Sequence, residues 1–247
     1  ARCAMEMNVS NCYGCSNAEG CAKRKRRVSA AANRTYMEEK NKEELQRKGN
    51  VSALLSKWLT VLFWLAIGAL IVTNLCELIV FFLPVDYLGD IVSVIFCIAQ
   101  ALVMLRLGYA CYHFRAAGIL SLVSVFFTAL GVFFDQSLLM VIFGVCELAL
   151  LIFSVYQEMM GYIQVTEEFG SELSEKWSKL WFAHLIMLGI AGVSIFVFFH
   201  SFLAMLLLMT GAVGGLVTSV IKFVLLYRTA MFFREIHEGI QNIAEIN

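Results

Sequence analysis

Proline is nearly missing from this chain: Pro84 is the only one in 247 residues. That one proline sits between two apolar runs, where a helix should stop. Charge is also scarce, at 15% Asp, Glu, Lys and Arg against 60% hydrophobic residues. A mean hydropathy of +0.76 leaves far more apolar side chain than a soluble domain could bury. Alternating apolar and polar patterning is absent, which excludes a β-barrel and leaves helices as the spanning elements. The HExxH, GxSxG, Walker and Rossmann signatures are absent too, so no motif names a reaction. The polar stretch of about fifty residues before the first apolar run lacks the short apolar core of a cleavable signal peptide, and none is expected.

What is present is a series of apolar runs, each long enough to cross about 30 Å of hydrocarbon at 1.5 Å per residue. The expected fold is an all-α polytopic membrane bundle of six transmembrane helices, near 54–82, 88–112, 116–134, 138–160, 177–199 and 202–231. They form three hairpins with short outer turns. The turns at 84–90, 134–137 and 200–201 hold no Lys or Arg, whereas Lys57, Arg115, Lys176, Lys179, Arg228 and Arg234 lie at the opposite ends with the basic N-terminal tail. By the positive-inside rule both termini are cytosolic. Trp58, Trp177, Trp181, Tyr109, Tyr156 and Tyr227 fall near those same ends, as an interfacial aromatic belt requires. A weak internal repeat is one reading of the pattern. An offset of 47 aligns Val94-Ile95-Phe96 with Val141-Ile142-Phe143 and Gln100 with Glu147, and shared apolar composition explains it equally well.

The chain divides into a Cys-rich head (1–22), a basic, partly helical linker (23–52), the bundle (53–231) and a C-terminal helix (232–247). Four of the eight cysteines, Cys3, Cys12, Cys15 and Cys21, lie in the head. Cys12 and Cys15 have the CxxC spacing that lets two thiolates grip one metal, and Cys3 and Cys21 complete a four-thiolate zinc site. An iron-sulfur cluster is the alternative metal group, and acylated or unpaired thiols are the plain reading. Lys23, Arg24, Lys25, Arg26 and Arg27 follow as a polybasic segment suited to anionic lipid headgroups, and nucleic acid is not the expected partner. Glu38 to Lys42, Glu43 to Arg47 and Glu44 to Lys48 support a solvated helix. Phe233, Ile236, Ile240 and Ile243 recur at helical spacing and make the C-terminal helix amphipathic. That helix can lie on the bilayer, pack against the acidic segment 157–175, or join oligomer contacts.

Glu147 is the anomaly in the run Val141 to Tyr156. A carboxylate at the centre of a spanning helix costs roughly 2.5–3.5 kcal/mol, so it should face the bundle and have a partner. Gln100 lies at a similar depth, with Arg106 and Lys222 roughly 10 Å nearer the cytosolic side by helix rise. The expected site is a polar track of Glu147, Gln100, Lys222, Arg106 and Thr218, with Lys222 or Arg106 as counter-charge. The plain alternative is one ion pair that specifies packing while the other cation snorkels. The glycines of Thr210-Gly211-Ala212-Val213-Gly214-Gly215 thin the last helix for a close neighbour. Together these point to a protein that binds or moves a small solute or ion through a bundle centred on Glu147, with a metal-binding head. A non-transporting scaffold or membrane-complex subunit is the alternative, and an intramembrane redox enzyme would need a bound chromophore.

Overall fold

The computed structural model describes the backbone of residues 18–82, 88–133, 138–196 and 201–246, and side chains over 36–76, 89, 91–130, 142–190, 193, 205–207 and 209–243. Every element there is a helix: α1 (Ala18–Phe82), α2 (Leu88–Leu107), α3 (Tyr112–Phe133), α4 (Leu138–Glu168), α5 (Leu173–Phe196) and α6 (Ser201–Ile246). Pro84 lies outside these residues, between α1 and α2. Among the described residues four helices are long and apolar enough to cross a bilayer, contained in 36–76, 112–130, 142–168 and 205–243, and 91–107 is a shorter apolar helix. This is the make-up of a multi-pass membrane protein.

Three helices run past their expected ends. α1 starts at Ala18 instead of near residue 54, α4 reaches Glu168 instead of residue 160, and α6 continues through the C-terminal amphipathic segment. Apolar periodicity locates the lipid-compatible part of a helix, whereas its end is set by the backbone. For α4 the end comes at Gly170, whose φ of +65° is a conformation that L side chains rarely adopt. Ser171 N–H donates to Thr166 O and Gly170 N–H to Glu167 O, the paired bonds of a Schellman cap.

The chain separates into two units, Ala1–Lys48 and Gly49–Asn247. In the first, Glu44 and Lys48 form an i,i+4 ion pair at 3.1 Å. Cys3, Cys12 and Cys15 lie outside the described residues. Cys21 is on α1, and its side chain and those of Lys23, Arg24, Lys25, Arg26 and Arg27 lie outside them as well.

In the second unit α2 packs on α3, α3 on α4, α4 on α5 and α5 on α6. Residues 49–76 of α1 join them: Gly49 meets the Ile240 side chain and Gly68 the Phe96 ring. The buried core gathers at the end of the bundle formed by the last turns of α2, the first of α3 and α5, and the later parts of α4 and α6. Leu55, Leu59, Leu107, Phe114, Tyr162, Trp177 and Phe233 are its innermost members. Trp177 is therefore a core residue, not a member of the interfacial belt: its indole is fully buried and donates to Thr229 Oγ1 at 3.0 Å. An indole at a helix start satisfies the belt pattern and a core position equally, and only packing separates them. Tyr109 and Tyr227 are exposed.

Two further contacts follow from side-chain size. Gly214 of α6 faces Met187 of α5, where an added Cβ would collide with the thioether sulfur. Small residues at this crossing let the two helices approach. The C-terminal amphipathic face is used within the chain: Phe233 is buried with its ring edge-on to Phe169 at 5.2 Å, inside the acidic segment, and Ile236 packs on the core.

Candidate functional site

The polar chemistry of the bundle lies along the seam between α3 and α4 and ends at α6. Near one end of the seam, Glu147 Oε1 is 2.7 Å from Thr128 Oγ1, whose hydroxyl is also 3.1 Å from Ser124 O. The Glu147 oxygen is the nearer of the two acceptors of this hydroxyl. Two turns further along α4, Ser154 donates to Ala117 O at 3.0 Å and accepts from Ser121, 2.8 Å away. One turn beyond that is Glu158, about 16 Å from Glu147 by helix rise.

Both oxygens of the Glu158 carboxylate are engaged. Lys222 Nζ of α6 donates to its Oε2 at 2.8 Å, and the Tyr162 hydroxyl donates to its Oε1 at 2.9 Å. Both members of the ion pair are largely shielded, with side chains 13% exposed for Glu158 and 30% for Lys222. Tyr162 is fully buried: its ring stacks on Trp177 at 4.2 Å between centroids and meets Phe114 edge-on at 5.1 Å. The aromatic core thus holds the phenol where it can orient the carboxylate.

A cavity of about 490 Å³ opens beside this pair. Its wall includes Glu158 and Lys222, Gln100 and Cys97 of α2, Ser121 and Ser124 of α3, Ser154 of α4, and Thr73 and Asn74 of α1, with Leu62, Met104 and Leu226 as apolar floor. The volume falls within the range of about 300–1,000 Å³ common for small-molecule sites, and the mixture of apolar wall with a few convergent polar groups is also theirs.

The residues expected from the sequence are distributed as follows. Gln100 and Lys222 share the cavity wall. Lys222 is paired with Glu158 rather than Glu147, because it emerges from α6 level with the later turns of α4. Glu147 is outside the wall, on the same seam through Thr128. Arg106 is exposed at the end of α2. The Thr218 hydroxyl donates to Gly215 O of its own helix and is not on the wall. Glu158, Tyr162, Ser121 and Ser154 were not anticipated. Glu158 reads in sequence as the first acid of an acidic connection, and the extension of α4 makes it a helix-interior residue. The i,i+4 spacing of Glu158 and Tyr162 and the depth of Lys222 were the available signals.

Other polar contacts lie away from the cavity. Gln157 bonds His113 at 2.6 Å, Gln164 accepts from the Cys111 thiol at 3.1 Å, and Glu175 pairs with Lys179 at 2.7 Å on the surface of α5. The neighbouring lysine holds the Glu175 carboxyl below the usual glutamate range. Among the described residues no group of three or more His, Cys, Asp or Glu is arranged to hold a metal ion. Cys76, Cys97, Cys111 and Cys146 are free thiols.

No protein-family model, curated protein or solved structure matches the chain.

Proposed function

We propose that the protein binds a small polar solute in the bundle and carries it across the membrane, with the Glu158–Lys222 pair at the binding place. The observation that supports this is the shielded ion pair on the wall of a 490 Å³ cavity. Two ions taken out of water are not a general source of stability, since desolvation offsets much of their attraction, and intramembrane ionisable residues commonly mark substrate or ion paths. Glu147, Thr128, Ser124, Ser121 and Ser154 form the approach along the α3–α4 seam, so the expected track through Glu147 and Gln100 is kept with its binding place moved toward Lys222. Arg106 and Thr218 lie outside the cavity wall and have no part in this binding place.

In this reading all six helices cross the bilayer and both termini are cytosolic. The polybasic segment Lys23 to Arg27 rests on anionic headgroups, and Cys3, Cys12, Cys15 and Cys21 hold zinc as a regulatory or docking head. Elemental analysis of purified protein checks the head: one zinc per chain, lost when Cys12 and Cys15 are replaced by serine, is the expected result, and stoichiometric iron turns it to a cluster.

The test of the function is solute entry into proteoliposomes, read for an amino acid, a sugar, a polyamine and a monocarboxylate. At least one should enter faster than into protein-free vesicles, and Lys222→Met should remove the difference. If none enters or binds and the purified protein brings stoichiometric partner proteins, the scaffold reading takes its place.

A further inference from the structure

We infer that the cavity selects a zwitterionic solute of the amino-acid class, whose two charges insert between Lys222 and Glu158. This rests on the proposed solute-binding role of the same cavity. The Glu158 carboxylate takes one donor on each oxygen, Tyr162 on Oε1 and Lys222 on Oε2. The Lys222 ammonium has three N–H groups and gives one to Glu158. Among the described residues its other two have no protein acceptor, and the Gln100 amide on the same wall has no protein partner. Asn74 uses its amide nitrogen on Leu70 O and keeps its carbonyl oxygen for other donors.

The charge balance of the site then decides among ligand classes. Lys222 and Glu158 sum to zero. A lone anion drawn to Lys222 competes with Glu158 and adds a negative charge that nothing among the described residues of the cavity wall balances. A lone cation drawn to Glu158 has the mirror-image effect on Lys222. Either leaves one shielded charge without a partner, the costly outcome in a low-dielectric site.

A molecule carrying both charges avoids this. Its carboxylate takes the free N–H groups of Lys222, and its ammonium takes Glu158 Oε2, so all four charges stay paired and the cavity stays neutral. Tyr162 keeps its bond to Oε1 throughout, because the Phe114 and Trp177 rings fix it. The carboxylate of Glu158 is therefore held in place while its other partner changes. Gln100 and Asn74 supply neutral donors and acceptors for the remainder of the ligand.

The experiment uses the full chain purified in mild detergent, with affinity read by titration calorimetry and by ligand-induced thermal shift. Alanine, leucine and glutamine are each offered as the free amino acid, as the C-terminal amide (a cation) and as the N-acetyl derivative (an anion), with a neutral sugar beside them. The expected result is that at least one free amino acid binds ten-fold or more tightly than both of its own derivatives. In the double variant Glu158→Gln with Lys222→Met that preference should vanish. If every free amino acid that binds is matched within ten-fold by one of its own derivatives, or if the sugar binds where no amino acid does, the zwitterion inference is overturned and the solute-binding role stands. No binding by any of the ten compounds overturns the zwitterion inference, and the solute-binding role falls with it when the proteoliposomes also show no entry of any of the four solutes. The comparison among ligands is made on the unaltered protein, so it holds even if the double variant does not fold.

Discussion

Lys222→Met is the perturbation that most directly probes the bundle. It keeps most of the side-chain volume and the apolar stem, and removes only the charge that faces Glu158. At 2.8 Å the gross attraction of the pair is about 6 kcal/mol with an effective dielectric constant near 20. The desolvation of both ions offsets most of this, so the net worth of the pair is small. Breaking it is another matter, because Glu158 is 13% exposed and its charge is left facing the cavity. Removal of one partner from a fully buried pair costs about 3–5 kcal/mol, and with Lys222 at 30% exposure a loss of about 2–3 kcal/mol is expected. Glu158→Gln should cost less, about 1–2 kcal/mol, because the long lysine stem lets the ammonium turn toward water. The double variant should lie within about 1 kcal/mol of the unaltered protein. The assay is reversible chemical denaturation in detergent micelles for all four proteins, with unchanged denaturant slopes as the check on comparability. Single losses that add within about 0.5 kcal/mol in the double variant would show that the two side chains do not act as a pair, and the reasoning fails there.

Other consequences follow from the core and from the surface. Gly161→Ala would place a Cβ within 3.0 Å of three atoms of the fully buried Phe114 ring, so about 1–3 kcal/mol of stability should be lost, whereas Gly214→Ala meets the flexible end of Met187 and should cost less. A reversed order in thermal unfolding would refute this. Trp177→Phe removes the indole donor to Thr229 and should cost about 1 kcal/mol from that bond alone, with added loss from weaker stacking on Tyr162. Its check is the same denaturation assay, where a loss below about 0.5 kcal/mol would count against the buried placement. Glu175 should titrate below an ordinary glutamate by carboxyl NMR, because Lys179 favours its charged form. For such a depressed carboxyl the stabilising contribution is present above the unfolded-state value and disappears as pH falls through the folded-state value. Lys179→Met should therefore move the midpoint upward, and an unmoved midpoint would refute the pairing.

The all-helical class and the presence of several spanning-length helices were legible in sequence, because they depend on local quantities. Run length, the single proline and the scarcity of charge decide them before any two helices meet. Gln100 and Lys222 were legible as candidates for the same reason, since a polar side chain in an apolar run is costly wherever the helix packs. Their environments were less so. The sequence placed Lys222 at a depth without identifying its neighbour, and two acids on α4 were within reach of that depth argument. The placement of Trp177 was hidden as well, because an aromatic residue at a helix start fits an interface and a core alike.

Pairing is a property of helix rotation and stagger, and these are set by the fit of side chains across several helices at once. Gly214 against Met187, Phe114 against Tyr162 and Phe233 against Phe169 are fits of that kind. They turn Glu158, not Glu147, toward Lys222. By itself the sequence determined that this chain is a set of apolar helices with a few costly polar groups inside. Tertiary packing decided which of those groups meet, because the hydrophobic pattern constrains which face of a helix is buried far more tightly than how far one helix slides along the next.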